Sequence, residues 1–228
     1  MVRRIVKGLL SLSICLSLIV SVPVFAEDNC GEEIKLNNAL DAVIDIDNIA
    51  LGEKVILKDG AILTPISEQE YIRRLMEENE YSIVEARHIE SQAKNMRSGT
   101  TYYYNYSKKF THPKNSGCTA ILEATLKIWA DNSYKQIENV MGVGSRRNSG
   151  TYQAQWIETY HYSDPQQGSS SFPTTKIVLG ASGYFRITST YALNTSTQIP
   201  GFSLGSSSGG TYTYESTSLN MNATYSLY

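Results

Sequence analysis

The chain has 228 residues, of which 41% are hydrophobic and 18% charged, a balance that argues against bulk disorder. Three of its 20 basic residues fall in the first 26 positions, so the rest of the chain carries 17 basic and 22 acidic residues, a net charge of −5. A nucleic-acid binder needs a basic face to neutralise phosphates. The charge therefore argues against a nucleic-acid partner.

The first 26 residues have the pattern of a secretory signal peptide. A short basic start is followed by an apolar run over 8–22, and the small residues Val24 and Ala26 precede an acidic stretch. The alternative is an uncleaved anchor, but about 15 apolar residues fall short of the ~20 needed to cross a bilayer. We therefore expect a secreted, extracellular protein with no transmembrane segment after cleavage behind Ala26.

Two cysteines, Cys30 and Cys118, remain beyond the predicted leader. An even pair in an oxidising compartment favours a disulfide. Closing a loop of roughly 90 residues would stabilise the fold by about 4–5 kcal/mol in the chain-entropy model. The alternative is a pair of unlinked, buried thiols.

Residues 27–98 form an acidic region with a predicted helical hairpin. They hold 16 acidic and 8 basic residues. A capping box begins at Ser67, and a second one begins at Ser82. These signals predict helices over 68–79 and 83–96. A DNA-reading helix pair would share this outline, but the acidic composition argues against it.

A short β-hairpin is predicted just before the helices. The apolar residues of Lys54–Leu63 flank Asp59 and Gly60, which are typical of a tight turn. Residues 27–50 give no clear pattern.

Residues 99–228 are Tyr-rich, with 14 of the 16 tyrosines, and are predicted to be strands. The clearest segment is Thr119–Ala130, where every even position is apolar and most odd positions are polar. This period of two predicts a strand with one buried face. Asp131-Asn132 then offers a turn into a strand over Tyr134–Met141.

Further strands are predicted toward the C-terminus. The segment 176–191 suggests a hairpin that turns at Gly180–Gly183, and 219–227 alternates again between apolar and polar residues. We predict a mainly β fold, an antiparallel β-sandwich of seven or eight strands, with a single closed sheet as the second choice. One strand is predicted to place four aromatic residues and one alanine on the same face: Tyr152, Ala154, Trp156, Tyr160 and Tyr162.

The sequence carries no recognisable catalytic, metal or cofactor motif. It has three histidines, no His-Glu-x-x-His, no paired-Cys zinc spacing and no Gly-x-Ser-x-Gly. We therefore expect no metal, no cofactor and no catalysis, with a hydrolase as a weaker alternative. Glu158 is the one residue that breaks the pattern of its strand, because it is predicted to lie on the same face as the aromatic side chains. A carboxylate there would sit in an aromatic cleft, unless a β-bulge near Ile157 turns it outward.

The aromatic residues supply the candidate ligand site. Tyrosine and tryptophan rings combine an apolar face with a polar tip, which suits sugars and protein interfaces. The same residues are also common structural residues of strands. The candidate ligand-binding residues are Tyr102, Tyr104, Trp129, Glu158 and Tyr160.

These features favour a non-catalytic extracellular module that binds a cell-surface glycan or protein. The alternative is a secreted toxin or bacteriocin-like effector in which 27–98 is a removable prosegment. Its motivation is the Ser/Thr-rich alternation of Thr211–Thr217, which weakly resembles membrane-inserting hairpins. A Cys30–Cys118 disulfide would argue against that alternative, because it would keep the prosegment tethered.

Overall fold

A computed structural model describes residues 34–35, 50–95, 98–166 and 171–228. The predicted signal peptide and Cys30 lie outside these residues. In the described part of the chain no helix is long and apolar enough to cross a membrane.

The fold is mainly β, with two helices in the described ranges. In chain order the elements are β1 (Ile34–Lys35), β2 (Val55–Ile56), β3 (Ile62–Pro65), α1 (Glu68–Asn79), α2 (Ile83–Asn95), β4 (Thr100–His112), β5 (Asn115–Asp131), β6 (Tyr134–Ser149), β7 (Gln155–Gln166), β8 (Lys176–Ser189), β9 (Phe202–Ser208), β10 (Thr211–Ser216) and β11 (Leu219–Ser226).

The strands form two sheets that are antiparallel except for the two-residue β1–β2 pair. The first sheet runs in the order β1-β2-β3-β4-β5-β6, so the short predicted hairpin of the acidic region joins the sheet of the Tyr-rich region. In the second sheet, β7 pairs along one edge of β8, while β11 and β10 pair in succession along the other. Strand β9 extends the sheet beyond β10.

The even positions of β5 from 118 to 130 are buried, as the period of two in Thr119–Ala130 predicts. Leu122 and Leu126 belong to the same hydrophobic cluster as Leu179 and Phe185 of the second sheet. Both sheets therefore contribute their apolar side chains to one core. Strand β11 follows the same logic, because its odd positions are buried and its even positions are exposed.

The helical hairpin begins where the sequence predicts it. The Ser67 side chain accepts a hydrogen bond from the Glu70 backbone amide at 3.2 Å, and the second box is formed by Ser82 and Glu85. Helix α1 buries one stripe against the first sheet and forms a small second cluster, separate from the main core. Its buried members are Tyr71, Ile72, Leu75, Ala86, Tyr103 and Met141.

One predicted turn is wrong, because β8 runs straight through Gly180–Gly183 as a single strand. The two glycines make room for aromatic rings of the neighbouring strand. A Cβ on Gly180 would lie 2.1 Å from a ring carbon of Tyr162, and one on Gly183 would lie 2.4 Å from the Trp156 ring. Close packing, not chain reversal, requires glycine here.

Cys118 is buried, and its Sγ lies 3.5 Å from the Thr151 hydroxyl. No disulfide forms among the residues that the structure describes. Pairing with Cys30 stays a prediction, since that residue is outside the described ranges.

Candidate functional site

The five residues predicted to bind a ligand do not form one site. Tyr104 lies in the main core with 2% of its surface exposed, so its ring has no open face for a ligand. Tyr102 is half-buried against the same core. Trp129 is on the opposite face of the first sheet, and Glu158 and Tyr160 belong to β7 in the second sheet.

Trp129 has a structural setting. Its ring lies against Gly99, where a Cβ would come within 2.9 Å, and it meets the Tyr134 ring edge-to-face at 6.0 Å. Gly99 has a φ of 114°, a backbone conformation that favours glycine, and the contact with the Trp129 ring leaves no room for a Cβ. These contacts cover part of the ring and leave it half-buried.

A β-bulge in β7 separates Glu158 from the tyrosines. The register shifts between Glu158 and Tyr160, so Glu158 pairs with Gly183 while Tyr160 pairs with Ser182. Paired residues share a face, and neighbours along β8 alternate between faces. Glu158 therefore stays on the inner side, and Tyr160 and the residues that follow change sides. The predicted single aromatic face is wrong, and the bulge lies after Glu158 instead of near Ile157.

Tyr152 does not belong to the aromatic face either. It lies in a 3-10 turn, Thr151–Gln153, and has a φ of 50°. Strand β7 begins only at Gln155.

Glu158 is held in a polar cluster at the start of β7. One carboxylate oxygen accepts hydrogen bonds from the amide and the hydroxyl of Ser145 on β6. The other oxygen lies 2.7 Å from Nδ1 of His161, and the Ser145 hydroxyl accepts a bond from the Trp156 indole at 2.9 Å. The bulge explains the pairing, because it brings residues three apart to the same side of the strand. Both oxygens of this half-buried carboxylate therefore have polar partners within the protein.

The outer face of the second sheet presents the most open set of aromatic and amide groups. Three strands contribute matched rows: Tyr160, Ser182 and Asn220 form one, and Tyr162, Gly180 and Asn222 form the next. We call these six residues the Tyr–Asn face. Tyr160 is 61% exposed, and its ring lies 5.8 Å from that of Tyr162 with an interplanar angle of 26°.

Hydrogen bonds fix the side chains of the Tyr–Asn face. The Tyr162 ring lies over Gly180, and its hydroxyl donates to Oδ1 of Asn222 at 2.8 Å. In the neighbouring row the Ser182 hydroxyl donates to Oδ1 of Asn220 at 2.8 Å. Since both amide oxygens accept, both NH2 groups point away from these bonds as potential donors. The Tyr162 ring and both amides are therefore held in place before any ligand arrives, while Tyr160 is in contact with the Tyr162 ring.

The Tyr–Asn face contains no charged residue. An ion pair borders it, in which Arg186 donates to Glu215 at 2.9 Å and to the Tyr184 hydroxyl at 2.7 Å. The next row on its other side begins with the exposed Asp164, which pairs with Val178. Between these charges, rings and uncharged hydrogen-bonding groups lie side by side. Such a surface can stack on an apolar patch of a ligand while it binds neighbouring hydroxyls.

A second group of polar side chains is buried beneath the helical hairpin. Glu90 of α2 is 2% exposed and accepts hydrogen bonds from the Tyr103 hydroxyl at 2.5 Å and from Nζ of Lys127 at 2.9 Å. Nζ also lies 3.5 Å from Glu138. Burial and the bond to Glu90 raise the pKa of Tyr103 far above its usual range, so the phenol keeps its proton.

The sequence predicts only part of these two groups. Tyr160 of the Tyr–Asn face is among the candidate residues, but its partners on β8 and β11 and the Glu90–Lys127 pair are not. The alternation of β11 places Asn220 and Asn222 on a polar face. The pattern-breaking Glu158 suggests a bulge as an alternative, but near Ile157, and so does not predict that Tyr160 and Tyr162 lie on that side of the sheet. Lys127 was visible on the polar side of its strand. Its partner Glu90 is one of many acidic helix residues, and only packing singles it out.

Among the described residues no three His, Cys, Asp or Glu side chains are grouped to hold a metal ion. Comparison of the chain with protein-family models, with curated proteins and with solved structures gives no significant match.

Proposed function

We propose that this protein is an exported, non-catalytic binding module that recognises a neutral glycan through the Tyr–Asn face. The observation that carries the proposal is the pair of matched rows in which tyrosine rings lie beside asparagine amides on the outer face of one sheet. Sugars offer an apolar C–H face and a rim of hydroxyls, and the two kinds of side chain are complementary to them.

Export is supported by the sequence of the first 26 residues, with its basic start, apolar run and small residues before the cleavage point. The proposed architecture is a β-sandwich, which agrees with the core cluster that draws on both sheets. In such a fold the outer face of a sheet is open to an extracellular ligand.

A glycan fits the Tyr–Asn face better than a protein partner. Protein interfaces usually have a buried apolar centre, with roughly 800 Å² covered on each partner. The centre of this face is Ser182, Gly180 and two asparagines, with no aliphatic side chain. Stacking plus hydrogen bonding would be the main source of affinity.

The cluster around Glu158 supports the non-catalytic part of the proposal. A serine nucleophile would need its hydroxyl against the imidazole that removes its proton. Here the Ser145 hydroxyl is bonded to Glu158 and Trp156, and it is the carboxylate that lies against His161. The Ser145 hydroxyl is therefore bonded to Glu158 and Trp156, and the imidazole of His161 is bonded to the carboxylate instead of to the serine.

The proposal is tested by measuring binding of the purified chain to immobilised neutral polysaccharides and then to soluble oligosaccharides by calorimetry. Tyr160→Ala removes an exposed ring that makes no core contact. We expect it to weaken binding about tenfold, which corresponds to about 1.4 kcal/mol. Gly180→Ala should weaken binding as well, because its Cβ would displace the Tyr162 ring.

Tyr191→Ala is the matched control, since Tyr191 is 58% exposed and lies outside β7, β8 and β11. It should bind like the wild type. Failure of every neutral glycan to bind, or equal affinities of the Tyr160 and Tyr191 variants, would contradict the proposal. Binding of a protein ligand through the same tyrosines would also reject the glycan assignment.

A further inference from the structure

We propose that Lys127 and Asn139 become joined by an intramolecular isopeptide bond, with Glu90 as the group that carries protons between them. The inference is independent of the glycan proposal, because it concerns the outer face of the first sheet beneath the helical hairpin. It assigns a covalent cross-link to a site where the sequence suggests only a lysine on a polar strand face.

The register of the first sheet brings the two reacting side chains together. Lys127 of β5 and Asn139 of β6 are directly paired, and side chains of such pairs share one face with Cβ atoms about 5 Å apart. Both also line a single cavity of about 300 Å³ between the hairpin and the sheet, together with Glu90 and Glu138. A nucleophile, an amide and two carboxylates thus meet in one small space.

The amide of Asn139 is oriented by a tyrosine. Its Nδ2 donates a hydrogen bond to the Tyr71 hydroxyl at 3.2 Å, and burial raises the pKa of Tyr71 to about 12. The Tyr71 ring in turn packs on that of Tyr103 at 4.5 Å. Phe172 and Pro173 add apolar walls to the cavity.

Lys127 lies against a carboxylate that can accept a proton from it. An amine attacks a carbonyl carbon only when it has lost its third proton, and in water the ammonium is strongly preferred. Lys127 and Glu90 are 6% and 2% exposed, and Nζ lies 2.9 Å from the carboxylate. The proton that Nζ must lose therefore has a short path to Glu90 within this buried site.

The step balances without any further reactant. Lys127 gives a proton to Glu90, its Nζ forms a bond to Cγ of Asn139, and the Cγ–Nδ2 bond breaks. Nζ loses a second proton and keeps one. The leaving nitrogen takes up both protons through Glu90 and departs as ammonium, which regenerates the carboxylate. No oxidant, reductant or cofactor takes part.

Glu90 is better placed for this role than Glu138. It is the closer carboxylate to Nζ, at 2.9 Å against 3.5 Å. The Tyr103 hydroxyl bonded to its other oxygen holds its orientation. Glu138 is farther from Nζ and more exposed. The product would tie β5 to β6 beyond their backbone hydrogen bonds.

Mass spectrometry of the full chain gives a direct test. Once peptide mapping has fixed the N-terminus, the intact mass should be lower than the sequence mass by one ammonia. Trypsin should fail to cleave after Lys127, and fragmentation should reveal a branched peptide that joins Lys127 to Asn139. An intact mass equal to that of the sequence, or a linear peptide ending at Lys127, overturns the proposal. Loss of water in place of ammonia overturns it too, because a carboxylate would then be the acceptor.

Variants separate the roles of the groups. Asn139→Ala and Glu90→Gln should both abolish the loss of ammonia, while Glu138→Gln, the matched control, should retain it. Retention of the branched peptide in Glu90→Gln would reject Glu90 as the proton carrier. The wild-type measurement needs no variant, so a substitution that prevents folding leaves the central test intact.

Discussion

The two faces of the first sheet are stabilised in opposite ways, and consecutive residues of β5 show it. Leu126 points into the core shared with the second sheet, among side chains that are almost all apolar. Lys127 points to the other side, where the helical hairpin covers Tyr103, Glu90 and Glu138. The first face is stabilised by apolar burial, and the second depends on individual polar pairs.

This difference has consequences for tolerance to substitution. An apolar core loses stability in proportion to the volume removed and accepts residues of similar size. A buried polar group instead needs a particular partner, and the loss of that partner leaves an unpaired charge or dipole. The stability of the helical hairpin should therefore fall even when a substitution removes a single polar atom.

The largest effect is expected for Leu126→Ala. Leu126 is fully buried at the centre of the main core, so the substitution removes apolar contacts and leaves a cavity. We expect the free energy of unfolding to fall by about 4 kcal/mol. Urea denaturation followed by near-UV circular dichroism and tryptophan fluorescence measures this.

Leu204→Ala is the control for that measurement. Leu204 is 54% exposed in β9, and its removal should change the free energy of unfolding by less than about 0.5 kcal/mol. A similar loss in both variants would contradict the assignment of the core.

Tyr103→Phe should lower stability by an intermediate amount, and the loss should be confined mainly to the helical hairpin. It removes one oxygen atom, the donor to Glu90, and leaves the carboxylate with less compensation for its burial. A hydrogen bond to a charged group contributes about 2 kcal/mol. Hydrogen exchange should become faster in α2 while the amides of β5 stay protected. Equal acceleration in both elements would show that the hairpin and the main core unfold as one unit.

Much of the secondary structure could be predicted, because it is encoded by neighbours along the chain. The capping box at Ser67 fixes the start of α1, and the alternation in 119–130 gives both the existence and the buried face of β5. Local hydrogen bonds and a period of two need no knowledge of distant residues.

The candidate site could not be predicted in the same way. One bulge after Glu158 moves Tyr160 to the other side of the sheet, whereas the sequence suggests a bulge only as an alternative and places it near Ile157. Gly180 suggested a turn, whereas the structure uses it to accommodate the Tyr162 ring from a strand that is adjacent only after folding. Glu90 likewise differs from the other helix carboxylates only in what packs against it. Tertiary contacts decide all three.

Tyr106→Phe is the matched counterpart of Tyr103→Phe and should cause the smallest loss of stability among the substitutions of buried residues. Tyr106 lies on the same strand, fully buried on the core face, and its hydroxyl has no hydrogen-bond partner among the described residues. Removing a buried hydroxyl that makes no bond should leave the free energy of unfolding unchanged or raise it by up to about 1 kcal/mol. The same denaturation experiment compares the two variants directly. A loss as large as that of Tyr103→Phe would mean that the Tyr106 hydroxyl is bonded after all, and that the core face also relies on a specific polar pair.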